Sequence, residues 1–517
     1  MVSGLLSLRG LRITATSVPV AASMVMASAG AYAQESGSDS GPARAVSVVP
    51  RVSLSETLTD NVGLSGVGQQ ADLITEISPG IRINMDGARI KGYFDYALNG
   101  IFYAQNSSPS RTQNALNTLG TLEAVDNWAF LDFSGSISQQ TVSAFGTPSI
   151  DNTSINSNRA EVSSYRISPY VRGRLGDMSS YEARYSRAVT SSDAAAASGV
   201  TTVDGVVKIS GGSAFSNLGW SADASRQSID YSTGRPTEAD RLILGLSYAI
   251  TPQLRVSANG GREANNYTSF DKQSYGTSGF GVNWSPSEMT TLSASRDRHS
   301  FGNTHSLSFD HRTARTAWKY TDSKDVSATP TQTGIANLAI SDLLYSQYVA
   351  TTKNPVSRAQ FNATLPQFGV NPNDPFTFGF LTSTLSLQRR QELSFALLGL
   401  RDTVTFAATR SLSTRLDTVS TAVDDFNTSA LIRQRGFSVN YLHRLTPDYS
   451  LGVIASQQKT SGDSSLQDTT LRFINVSVSG KVGKRAVASV GVRHVVSSGS
   501  TVSYVENAIT CTLTVQF

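Results

Sequence analysis

The end of the chain sets the tightest constraint on what it folds into. Ile509, Cys511, Leu513 and Val515 alternate with Thr510, Thr512, Thr514 and Gln516, and the chain closes on Phe517. A period of two puts one set on each face of an extended strand, apolar on one side and polar on the other. The same unit recurs from Val46 onward. An alternating segment of roughly ten residues meets a tight turn, a second segment follows, and then a longer polar connection. Turns such as Ile250-Thr251-Pro252-Gln253, Ser285-Pro286-Ser287-Glu288 and Thr446-Pro447-Asp448 use Pro to preset φ and Asp to bond its own backbone.

Composition decides between a soluble and a membrane solution. Charged residues are 16% and hydrophobic residues 39% of the 517, both below the roughly 25% and 45–50% of soluble domains. Such a chain is poorly equipped to fill a core. A barrel sends apolar groups to lipid and small polar groups to the lumen, and needs no filled core. The expectation is one all-β transmembrane antiparallel barrel over 46–517, of the outer-membrane type. It has roughly 18–22 strands, short periplasmic turns and long extracellular loops. His305–Thr321 reads equally as one long strand or a hairpin.

The N-terminus agrees. Arg9 and Arg12, an apolar stretch through Met26, and Ala31-Tyr32-Ala33 read as a secretory signal over 1–33, cleaved near Ala33. Residues 34–45 read as a flexible leader. A terminal aromatic on an alternating strand is the pattern by which outer-membrane barrels are handed to their assembly machinery, so Phe517, Val515 and Leu513 are the candidate assembly signal. The outer membrane is the expected location. Between 322 and 384 sustained alternation is absent, and a loop this long predicts a plug, a lid or a solvated surface loop.

Parity sorts the charges. Arg166, Arg172, Arg174, Arg184 and Arg255 fall on the polar face and form a candidate basic lumen lining. That lining would either favour anionic solutes or be a salt-bridged wall without selectivity. Arg187, Arg226, Arg262, Arg296 and Arg410 have apolar-face parity at the outer ends of strands that follow tight turns. There they would snorkel towards lipopolysaccharide phosphates, or simply mark polar strand ends. The five histidines lack metal-ligand spacing, and no nucleophile elbow, phosphate loop or dinucleotide fingerprint occurs. No enzyme, cofactor, metal or nucleic-acid role is expected. The lone Cys511 reads as a small lipid-facing residue.

Several segments carry a family likeness: Ser55-Glu56-Thr57-Leu58-Thr59-Asp60-Asn61-Val62, Asp72-Leu73-Ile74-Thr75-Glu76-Ile77-Ser78-Pro79-Gly80, Asp95-Tyr96-Ala97, Ser136-Ile137-Ser138-Gln139-Gln140 and Phe395-Ala396-Leu397-Leu398-Gly399. They resemble the outer-membrane barrel proteins associated with the PEP-CTERM/exosortase system of Gram-negative bacteria. The resemblance implies a link to exopolysaccharide export, with secreted polysaccharide and periplasmic export proteins as partners. It carries no functional residues. A general diffusion porin and a non-conducting scaffold that binds matrix or partner proteins are the alternatives.

Overall fold

A backbone can cross lipid as strands only if every N–H and C=O finds a partner within the structure, which requires a sheet without edges. The chain meets this condition with 22 antiparallel strands, each paired with the next and the last with the first. The computed structural model describes residues 45–105, 110–177, 179–194, 199–212, 217–232, 234–327, 379–417, 424–499 and 503–517. The signal, nearly all of the leader and the interior of the long insertion lie outside them.

The strands are β1 (Val46–Thr59), β2 (Asp72–Asp86), β3 (Ile90–Tyr103), β4 (Arg111–Val125), β5 (Ala129–Thr141), β6 (Arg159–Leu175), β7 (Ser179–Ser192) and β8 (Val200–Gly212). They continue with β9 (Leu218–Tyr231), β10 (Thr237–Thr251), β11 (Leu254–Asn265), β12 (Gln273–Ser287), β13 (Thr290–His299), β14 (Gly302–Arg312) and β15 (Thr316–Ser327). The circuit ends with β16 (Ser386–Leu398), β17 (Asp402–Arg415), β18 (Leu431–Arg444), β19 (Tyr449–Ser461), β20 (Thr469–Lys481), β21 (Ala486–Gly499) and β22 (Tyr504–Gln516). The segment His305–Thr321 is thus a hairpin. The interval that begins at 322 in sequence starts later in the structure, because β15 runs on to Ser327.

Register fixes which face is oily. Leu54, Leu58 and Val52 stand opposite Leu513, Ile509 and Val515 across the closing seam. On β10, Leu242, Leu244, Leu246 and Tyr248 are all exposed on that same outer face. The inner face of the seam is a ladder of hydroxyl pairs: Ser53–Thr514 at 2.9 Å, Ser55–Thr512 at 2.9 Å and Thr57–Thr510 at 3.1 Å. Phe517 adds a last link by donating its backbone N–H to the Pro50 carbonyl at 2.9 Å. Pro50 has no N–H to give, and it sits at the rim where the pairing with β22 runs out.

Glycine is required where a ring or carbonyl crosses the sheet. The Phe133 ring lies over Gly120, so a side chain there would displace it. Gly92 takes φ +156°, and a Cβ on it would strike the Leu119 carbonyl.

Candidate functional site

Two features of the cylinder bear on function: its inner wall and its outer mouth. On the wall, β6 and β7 carry Arg166, Arg172, Arg174 and Arg184, and β11 carries Arg255, all with inward parity. Arg184 donates to Asp132 at 2.6 Å and to Glu182 at 3.0 Å. Its guanidinium lies 3.8 Å from the centre of the Tyr170 ring. Tyr170 stacks on Phe130 at 5.1 Å and 16°, and Arg172 covers Phe130 at 4.3 Å. The result is a column of cation, two rings and cation, typical of cation–π contact.

Phe130 faces inward, on the same side of β5 as Asp132. Its alternation with Asp132 and Ser134 is the sequence signal for that. Arg174 donates to the Asp177 carbonyl at 3.1 Å near the short-turn rim. It shares a recess of about 700 Å³ with Arg255, Asp223, Asn259 and a row of serines from β7 to β11. Elsewhere Asp95 is bound by both Arg51, at 2.6 Å, and Arg82.

The rim arginines lie on the outer face. Arg226 is 3.6 Å from Glu238 and 3.7 Å from Asp240, acids it shares with Lys272. Arg187, Arg262, Arg296 and Arg410 are exposed. Leu513 and Val515 face outward on β22, and the Phe517 ring is exposed at its end. Among the described residues no His, Cys, Asp or Glu cluster is placed to hold a metal ion.

Chain between the strands also enters the mouth of the barrel. Residues 142–158, between β5 and β6, fold inward along the wall as far as β21 and β22. Two isoleucines seat the loop. Ile155 packs on Val62, Ile74 and Ile101, and Ile150 on Leu64, Leu471, Phe473, Val495 and Tyr504. Wall side chains then tie its backbone. Tyr103 donates to the Thr153 carbonyl at 2.6 Å, Arg111 to the Asn152 and Ser154 carbonyls at 2.9 and 2.8 Å, and Tyr504 to the Pro148 carbonyl at 2.7 Å.

An ionic knot sits between the two isoleucines. Arg493 of β21 pairs with Asp151 of the loop and with Glu506 of β22, the latter at 2.6 Å, and Thr59 donates to Glu506 at 2.9 Å. Asp151 also accepts from the Ser154 N–H at 2.8 Å and its hydroxyl at 2.6 Å. Burial opposes its ionisation, but the Arg493 charge and the Ser154 hydrogen bonds prevail and hold it well below the usual carboxylate range.

Two further segments meet the loop. The 3-10 turn Asp425–Asn427 follows β17, and 379–385 is the return of the long insertion into β16. Asp425 accepts from the Ser143 hydroxyl at 2.7 Å and the Ala144 N–H at 2.6 Å. Asp424 accepts from the Thr382 hydroxyl, the Ser383 N–H and the Thr384 hydroxyl at 2.8–2.9 Å. Phe380, Phe426, Ala144 and Ile432 form a shared apolar cluster. Leu381 donates its N–H to the Thr141 carbonyl at 3.1 Å, so the return segment crosses from β16 to the top of β5. Burial, with Asp424 adjacent, pushes the Asp425 carboxyl up to about 6 despite its two donors.

The chain is therefore a barrel of the outer-membrane type, with a loop folded into its mouth and arginines paired with acids on its wall. No family model matches the sequence, and no curated protein does. Among solved structures it is similar to the FrpB iron transporter of Neisseria meningitidis (F5-1 variant), at TM-score 0.49 and 11% identity over 91% of this chain and 82% of that one. It is also similar to the siderophore receptor PirA of Pseudomonas aeruginosa, at TM-score 0.45 and 9% identity over 91% and 80%. At such identities the likeness concerns the barrel alone.

Proposed function

We propose that the protein is a gated outer-membrane conduit for a secreted anionic polysaccharide, with 142–158 as its gate. The observation that carries this reading is the loop itself, held across the mouth by noncovalent ties above a polar, arginine-bearing wall. Serine, threonine and asparagine on the inner face exchange hydrogen bonds with sugar hydroxyls, and Arg166, Arg172 and Arg255 attract acidic groups. Export of exopolysaccharide is the direction suggested by the sequence resemblance, and delivery to the outer membrane rests on the signal at 1–33 and the strand ending in Phe517.

Planar-bilayer recording of the purified chain tests it. The intact protein passes little current, and replacing 144–157 with a short Gly-Ser turn opens a large steady conductance. An acidic oligosaccharide interrupts that current more often than a neutral one of equal length, and Arg166→Gln with Arg172→Gln removes the difference. A large steady conductance in the intact protein identifies a diffusion porin, and none in either form identifies a scaffold.

A further inference from the structure

We infer that the outer face of β17–β19 binds the phosphorylated head group of an outer-leaflet glycolipid. The inference is independent of the conduit reading, because none of its residues faces the lumen. Arg410 of β17 is the direct cross-strand partner of Arg435 on β18, and Arg435 is the partner of Lys459 on β19. Like charges set directly opposite in a sheet repel and destabilise it. Among the described residues the ion pair made by these three cations is Lys459 with Asp468, at 3.1 Å. Arg410 and Arg435 are exposed and have no carboxylate partner among those residues. Arg433 stands one step farther out on β18, also exposed.

A comparable cluster elsewhere on the same face shows what is missing here. Arg226 and Lys272 face Glu238 and Asp240, so two cations meet two acids from the chain itself. At β17–β19 the balancing anion must come from outside. Its position says which anion. Moving down the strands, Phe437 and then Phe406, Val439 and Ala455 take the same outward face. Phe437 and Val439 are exposed large hydrophobics. The cations thus form a shelf directly above the lipid band, outside the cylinder, where an amphiphile with an anionic head and acyl tails fits both halves. Guanidinium forks match phosphate oxygens in pairs, which favours a phosphorylated head over a carboxylate.

The test uses the full mature chain in non-ionic detergent, titrated by native mass spectrometry with diphosphorylated lipid A, with the same lipid stripped of phosphate, and with inorganic phosphate. Wild type binds lipid A at least tenfold more tightly than either of the others. Arg410→Gln/Arg435→Gln/Lys459→Gln lowers lipid A binding at least tenfold, whereas Arg226→Gln leaves it within twofold. Equal binding by the triple variant, by the dephosphorylated lipid or by inorganic phosphate overturns the proposal. A second readout separates binding from folding. Without anionic lipid, Arg435→Gln raises the melting temperature by relieving repulsion. With lipid A present it lowers it. A fall in both conditions would make the row structural and end the proposal.

Discussion

Arg493 shows how much one side chain holds in place. It neutralises Asp151 from the loop and Glu506 from the neighbouring strand, at a site largely removed from water. Removing the shared cation strands two facing carboxylates, and breaking a buried pair by deleting one partner costs ~3–5 kcal/mol. Arg493→Gln is therefore expected to release 142–158, read as new protease cleavage within the loop under conditions where wild type resists. Asp151→Asn in the same chain removes one of the two stranded charges and restores part of the protection. Glu506→Gln alone leaves the Arg493–Asp151 pair and has the mildest effect. Unchanged cleavage in Arg493→Gln would show that the isoleucine sockets alone hold the gate.

At the scale of elements, the gate is a meeting of three segments, and its strength depends on pH. The Asp425 carboxyl is pushed up to about 6 where it receives Ser143 and Ala144, against about 3.9 for a free aspartate. A carboxyl with a raised pKa in the docked state binds more protons there than when released. Its contribution to docking is fully present below about pH 4 and is lost as pH rises through about 6. The gate should open more often at pH 8 than at pH 5, and Asp425→Asn, which cannot ionise, should flatten that dependence. Single-channel open probability measures both. The strands behind these loops were legible in sequence, because a lipid-facing surface forces alternation on every one of them. The gate was not. Its ties join Ser143 to Asp425 and Pro148 to Tyr504, across hundreds of residues, and its own sequence is the Ser, Thr, Asn and Gly of any exposed turn. For the longest insertion, 322–384, the sequence left a plug, a lid and a surface loop open, and nothing in it singled out the shorter loop. The cross-strand row of Arg410, Arg435 and Lys459 was only partly legible: Arg410 ends an apolar-face run on a strand after a tight turn, and the other two do not. Arg435 opens a descending strand, and Lys459 is not an arginine.

Residues 45–517 form a cylinder whose first and last strands meet through inward hydroxyl pairs and outward aliphatic ones, which leaves no free sheet edge in lipid. Its two rims differ. Short turns finish one, while the other carries the chain that folds back to cover the opening. The account rests on a water-filled interior closed to the outside by that chain. The most direct measurement places a single cysteine on the inner wall of β11, Ser257→Cys, with Cys511→Ser to clear the outward-facing native thiol. Intact cells are then treated with a membrane-impermeant maleimide. The account predicts no labelling of this protein, and rapid labelling once Arg493→Gln releases the loop. Equal, rapid labelling with the loop intact would contradict it.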